Sequence, residues 1–221
     1  MDNLIFDADG VLFDSEPHYT RAVQETFRHY GVEITTEEYV RRWMIEQTYT
    51  KGVIRDYDIK DSIDNIRERK AEIMARLIQN ELEMIPHAME MVERLCNGYQ
   101  TGIVTSSSRR DIMMKLKKFS LVDFFPLIVA SGDTERSKPH PDPYQKMVDM
   151  MKADPGKTVV IEDNPSGVRS AKAVKPGGCR VIAYPNGFTG DMDFSHADII
   201  VSSLEEIDKG MIKRLLYPVD V

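Results

Sequence analysis

The sequence predicts an α/β fold, a doubly wound parallel sheet interrupted after its first strand by an inserted block of helices. Three observations carry this expectation. Short apolar runs recur along the chain and are nearly continuous rather than alternating, as strands covered on both faces require. Helical periodicity separates them, and alternation of strand and helix implies parallel strands with ligands bound at their carboxyl ends. Between residue 15 and about residue 84 the alternation stops, and only helical patterns are found.

Asn3-Leu4-Ile5-Phe6 opens the sheet. The block that follows carries apolar residues at Tyr19, Ala22, Val23, Phe27 and Tyr30, then at Ile63, Ile66, Ile73, Met74, Leu77 and Ile78. Each set lies on one face of a helix. The block is expected to be a separate all-helical domain, residues 15–84, on two hinge passages, with the α/β core formed by residues 1–14 and 85–221. Next, Ile85, Ala88, Met89, Val92, Leu95 and Cys96 mark one helical face, with Pro86 suited to a first turn and Asn97-Gly98 to a stop. Five more strands are expected at TGIVTS (101–106), LIVAS (127–131), TVVIED (158–163), RVIAYP (180–185) and DIIVSS (198–203). The methionines in helical patterns beside other apolar residues read as flexible core filler, because no Cys or His cluster accompanies them.

Composition narrows the function. A chain of 221 residues suits one large domain, or a core with a smaller partner. The net charge of −7 argues against a general nucleic-acid binder, so an anionic substrate needs a local positive site or a metal. No apolar run approaches the ~18 residues of a membrane span, and the N-terminus shows no secretory signal pattern. Cys96 and Cys179 are too few for a disulfide framework, and the five histidines have no zinc-like spacing. A cytoplasmic protein, acting as a monomer without nucleic-acid or membrane partners, is expected.

Four features fall at the ends of expected strands. Asp7 and Asp9 follow the first strand, two residues apart and therefore on one face. Thr105-Ser106-Ser107-Ser108 is a hydroxyl-rich turn feeding a helix, whose free N–H groups could receive an anion. Ser137-Lys138-Pro139 lies in the loop after LIVAS, and Glu162-Asp163 ends TVVIE. Singly, each has a plain structural reading as a cap, a turn residue or a solvated charge. In one parallel sheet they converge on one crevice.

Charge then becomes the argument. Four ionised carboxylates and one ammonium sum to −3, which repels itself unless compensated. Oxygen-only sites rich in carboxylate suit hard cations, and magnesium favours one or two carboxylates together with substrate phosphate oxygens. With Mg²⁺ the total is −1, and a proton on Asp9 brings it to zero. The aspartate pair then makes sense as a nucleophile and a proton carrier beside a metal.

The four segments resemble the four motifs of the haloacid dehalogenase (HAD) superfamily, in order and spacing, along nearly the whole chain. DADGVLFDSEP, SKPHPDPY and IEDNPSGVRSA are similar to the subfamily of β-phosphoglucomutase and small-molecule phosphatases. The resemblance implies a Rossmann-like core with a helical cap that closes over the active site. It makes Asp7 the nucleophile that forms an aspartyl-phosphate, and Asp9 the acid that protonates the leaving alkoxide and later activates water. Ser106, Ser107 and Lys138 would bind the transferring phosphoryl group. Mg²⁺ would be held by Asp7, the Asp9 carbonyl and Asp163, with Glu162 either a further ligand or an acceptor behind them.

The expected function is therefore a Mg²⁺-dependent phosphohydrolase of small phosphorylated metabolites. The alternative is a sugar-phosphate mutase. In the mutase relatives a cap-hinge histidine lies four residues beyond a small hydroxyl residue; here four beyond Ser15 is Tyr19, and His18 falls one residue early. One residue on a helix is a turn of ~100°, which favours the phosphatase. Arg42 and Lys51 are candidate contacts to the far end of a substrate, with solvated charges as the plainer reading. A phospho-acceptor signalling domain also places Asp, Ser or Thr, and Lys at strand ends, but in a different motif order.

Overall fold

The computed structural model describes residues 2–46 and 48–218. Met1, Gln47 and residues 219–221, which belong to the expected domain ranges, lie outside the described residues. In chain order the elements are β1 (Asn3–Phe6), α1 (Glu16–Arg28), α2 (Thr36–Tyr39), a π-helical turn (Val40–Ile45), α3 (Tyr49–Asp56) and α4 (Ile63–Asn80). Then follow α5 (Ala88–Cys96), β2 (Gln100–Val104), α6 (Arg109–Lys118), β3 (Leu127–Val129), α7 (Asp142–Met151) and β4 (Thr158–Glu162). The chain continues through α8 (Pro165–Lys172), β5 (Arg180–Ala183), β6 (Ile199–Ile200) and α9 (Lys209–Leu216). None of the described helices is long and apolar enough to cross a membrane.

Two compact units are formed, one from Met1–Asp14 with Glu83–Val221 and the other from Ser15–Leu82. In the first, six strands form a sheet of order β3-β2-β1-β4-β5-β6, every pair parallel. The topology is Rossmann-like, with β1 central between β2 and β4. All four residues of β1 are buried, which accounts for its unbroken apolar run. Gly102 in β2 lets α7 approach closely: a Cβ there would sit 2.7 Å from Met147 Sδ and 2.9 Å from Met151 Cε. Met147 and Met151 thus fill the core between helix and sheet.

The hinge is paired within this first unit. Asp14 N–H donates to Glu83 O at 3.1 Å, Ile85 N–H donates to Leu12 O at 3.0 Å, and Phe13 bridges Met84. Residues 83 and 84 therefore sit with the core rather than with the helical block, and the boundary falls at Leu82. The same pairing moves the start of α5. With Ile85 committed to the hinge, His87 takes a left-handed conformation (φ 63°) and the helix begins at Ala88, so Pro86 precedes it.

The second unit is all-helical. Val23, Phe27, Val32, Ile34, Tyr39, Val53 and Ile66 form its core, and the Trp43 ring stacks on Tyr39 at 5.4 Å. Ser62 Oγ caps α4 by accepting from Asn65 N–H at 3.1 Å. The helix α1 starts at Glu16, with Tyr19 N–H bonded to Ser15 O at 2.9 Å, so its register is the one the sequence implies. Arg42 differs from both readings given above. It is buried and spans Glu38 Oε1 and Asp56 Oδ2, each at 2.7 Å. It ties the π-helical turn to α3, whereas Lys51 is exposed.

Candidate active site

Each strand end delivers one part of the site. Beyond β1, Asp7 N–H continues the ladder by donating to Ile161 O at 2.9 Å, so the carboxylate is launched from a fixed backbone. The chain then doubles back, with Leu12 and Phe13 N–H both donating to Ala8 O and Gly10 N–H donating to Phe13 O. Gly10 (φ 83°) is required twice over. Its backbone conformation is unfavourable for a side chain, and a Cβ there would land on Asp163 Oδ2, within 2.7 Å of Asn186 Nδ2.

Lys138 is the hub. Its buried ammonium donates to Asp7 Oδ1 at 2.5 Å, Glu162 Oε1 at 2.7 Å and Val104 O at 3.0 Å, so all three protons are used. The Tyr144 ring lies 5.0 Å from it, and the Tyr144 hydroxyl donates to Glu162 Oε1 at 2.7 Å. Glu162 Oε2 accepts from the N–H groups of Asp163 and Asn164, both at 3.1 Å. Gly167 makes room for that carboxylate, because a Cβ at 167 would occupy it. Every oxygen of Glu162 is thus met by protein donors. Of the two roles left open for Glu162, a further ligand or an acceptor behind the ligands, this geometry favours the acceptor.

The hydroxyl turn after β2 divides by parity. Thr105 and Ser107, two residues apart, both reach Asp9 Oδ2, at 3.1 and 2.6 Å. Ser106, between them, is exposed and lines a cavity of about 270 Å³ with Ser131, Ser137 and Lys138. Ser106 is thereby placed beside Lys138 as expected. Ser107 is not, because its hydroxyl is buried and committed to Asp9.

Asp9 has a partner that the sequence reading missed. Lys115 of α6, fully buried, is ion-paired with Asp9 Oδ1 and donates to Ser107 Oγ at 3.1 Å. A signal existed: Lys115 lies three residues after Ile112 and directly before Leu116, on the apolar stripe of α6. Asn186, in the loop after β5, was also missed; its Nδ2 donates to Asp163 Oδ2 at 2.7 Å.

The electrostatics follow from these contacts. Burial pushes the Asp7 carboxyl up, Lys138 pulls it back, and Glu162 and Asp9 push it up again, to about 8 in the cation-free protein. Burial pulls the Lys138 ammonium down, but Asp7 and Glu162 outweigh it and hold it above its ordinary value. With Lys115 counted, four carboxylates and two ammoniums sum to −2. A divalent cation closes this fully ionised account at zero, and the negative charge of an entering phosphate ester is then matched by a proton carried on Asp9.

The donor set fits such a cation. Among the described residues no three His, Cys, Asp or Glu side chains form a metal cage. What the site offers is two carboxylates, Asp7 and Asp163, drawn to one loop by Gly10, with the Asp9 carbonyl in that same loop. An all-oxygen set with few protein ligands, left to be completed by water and phosphate, is magnesium's habit.

Comparison with known proteins identifies a family. The model of the family described as haloacid dehalogenase-like hydrolase matches residues 4–183. A phosphorylated carbohydrates phosphatase of Thermotoga maritima is 29% identical over 175 residues, 78% of this chain and 81% of that protein. A pyrophosphatase, PpaX, of Oceanobacillus iheyensis is 24% identical over 92% of this chain and 94% of its own. The crystal structure of CbbY from Rhodobacter sphaeroides in complex with phosphate superposes with a TM-score of 0.81 at 25% identity, covering 93% of this chain and 96% of that one.

Proposed function

This chain belongs to the haloacid dehalogenase-like hydrolase family, and from that premise we propose that it is a Mg²⁺-dependent phosphohydrolase of small phosphomonoesters working through an aspartyl-phosphate. The observation that carries the proposal is the bridging of Asp7 and Glu162 by Lys138 at the carboxyl ends of β1 and β4, beside the cavity lined by Ser106.

In the first step Asp7 attacks phosphorus, the ester P–O bond breaks, and Asp9 gives a proton to the departing alkoxide. In the second, Asp9 takes a proton from water as that water attacks the aspartyl-phosphate. The bond to Asp7 breaks and orthophosphate leaves. The Ser106 hydroxyl holds a phosphoryl oxygen, the Lys138 charge beside Asp7 offsets the phosphoryl charge, and Glu162 with Tyr144 keeps Lys138 in place. Thr105, Ser107 and Lys115 orient Asp9. Asp7, Asp163 and the Asp9 carbonyl would hold Mg²⁺, which would supply charge neutralisation at the transferring group. The helical unit serves as the cap that selects the substrate.

Hydrolysis is favoured over the mutase alternative by the start of α1. Ser15 is its N-cap and Tyr19 its i+4 partner, which leaves His18 one position early. The relatives' names suggest phosphorylated sugars and pyrophosphate for the test panel, which polyol phosphates and nucleotides complete. Orthophosphate release from several phosphomonoesters is expected. Interconversion of β-glucose 1-phosphate and glucose 6-phosphate faster than the hydrolysis of either would replace the phosphatase by the mutase.

A further inference from the structure

The loop after β5 holds an amide in a fixed orientation against one of the carboxylates assigned to the cation. Asn186 Oδ1 accepts from Phe188 N–H at 2.9 Å, and Asn186 N–H donates to the Thr189 hydroxyl at 3.1 Å. Asn186 O accepts from Thr189 and Gly190 N–H, at 3.1 and 2.8 Å. Thr189 itself is fully buried. With its oxygen fixed by the turn, the amide has only its N–H₂ group to turn toward the site, and that group meets Asp163 Oδ2 at 2.7 Å. Gly10 closes the third side, since a Cβ there would reach both partners.

We infer that Asn186 is a positioning residue that tunes the metal preference of the site by biasing Asp163 toward one-oxygen coordination. The inference rests on the cation-dependent reading above. An amide engaged on one carboxylate oxygen takes one of that oxygen's lone pairs and fixes its direction, so a cation is met more readily through the other oxygen than through both. Magnesium, octahedral with short bonds, is satisfied by a single carboxylate oxygen. Calcium takes more ligands at longer distances and readily accepts both oxygens of a carboxylate, an arrangement that the Asn186 contact disfavours. The amide also fixes the carboxylate's rotation, a role that ordinarily contributes 10–100-fold to metal affinity.

The test is direct binding of Mg²⁺ and Ca²⁺ by calorimetry, with Mn²⁺ followed by electron paramagnetic resonance, and no turnover measured. Asn186→Asp keeps the oxygen that accepts from Phe188 and hence the turn, but replaces the donor to Asp163 by an acceptor. Asn186→Ala removes both. In each variant the ratio of Mg²⁺ to Ca²⁺ affinity should fall about tenfold or more from wild type. Thr189→Val loosens the same loop without touching the amide and should leave the ratio within about twofold, which separates positioning from mere loop stability. A ratio unchanged in the folded Asn186→Asp protein overturns the inference while leaving the cation site intact. Failure of the wild-type protein to bind any of the three ions overturns the cation reading itself, and this inference with it.

Discussion

Lys115 and Asp9 form an ion pair in which the lysine side chain is wholly withdrawn from solvent and the aspartate is 14% exposed. They are 106 positions apart in the chain. The same Asp9 carboxylate accepts from Ser107 and Thr105. In such a clamp the orientation of Asp9, the proposed acid/base group, is set by α6 and the end of β2, not by its own short loop.

Removing the lysine should therefore injure both stability and turnover. Lys115→Met strands a carboxylate beside an apolar side chain, and breaking a buried pair costs about 3 kcal/mol at the lower end of its usual range. Denaturant unfolding of Lys115→Met and of the double variant Lys115→Met/Asp9→Asn measures this. The double variant should recover most of the loss, and equal stability of the two would show that the pair is not coupled.

Asp7→Asn should abolish turnover and leave the fold intact. An amide cannot form the acyl-phosphate, and the substitution removes a carboxyl whose burial is costly. Steady-state assay beside circular dichroism is sufficient. A variant keeping a tenth of wild-type kcat, a barrier change of only ~1.4 kcal/mol, would exclude Asp7 as the nucleophile.

Chelation should silence the enzyme, and Mg²⁺ should restore it. Without a cation burial and the neighbouring carboxylates push the Asp7 carboxyl up to about 8 and the site stays acidic, so the melting temperature should also rise on adding Mg²⁺, in a concentration-dependent way. Turnover by protein freed of metal and held in chelator would contradict the charge argument.

Gly167→Ala tests the support beneath Lys138. In an ordinary helix the change gains up to ~1 kcal/mol. Here the new methyl falls on the Glu162 carboxylate, and overpacking of this kind costs about 1–3 kcal/mol. Loss of stability together with loss of kcat is the expected pair of results; a more stable, fully active variant would show that Glu162 and Lys138 have slack to move.

Much of this site is legible in the sequence, because its signals are local. An apolar run ending in Asp7 and another ending in Glu162-Asp163 place carboxylates at strand ends by the period of the backbone alone. Parallel alternation then puts those ends on one edge of the sheet. The split between Ser106 and its neighbours was also available in principle, since residues two apart share a face and adjacent ones do not.

What the sequence alone determined, then, is the α/β class, the inserted helical block, and the edge where Asp7, Asp9, Lys138, Glu162 and Asp163 gather. Tertiary structure decided which donor meets which oxygen. Lys115, Lys117 and Lys118 are near-identical as text, yet only Lys115 is buried. Arg42 reads as a cap surface charge until Glu38 and Asp56 close on it. Nothing within a few residues of Asn186 refers to Asp163, 23 positions earlier. Residue type and spacing fix the phase of an element about its own axis. The reach of a long side chain into a distant loop depends on how packed elements are rotated against one another, and that is set by the whole core at once.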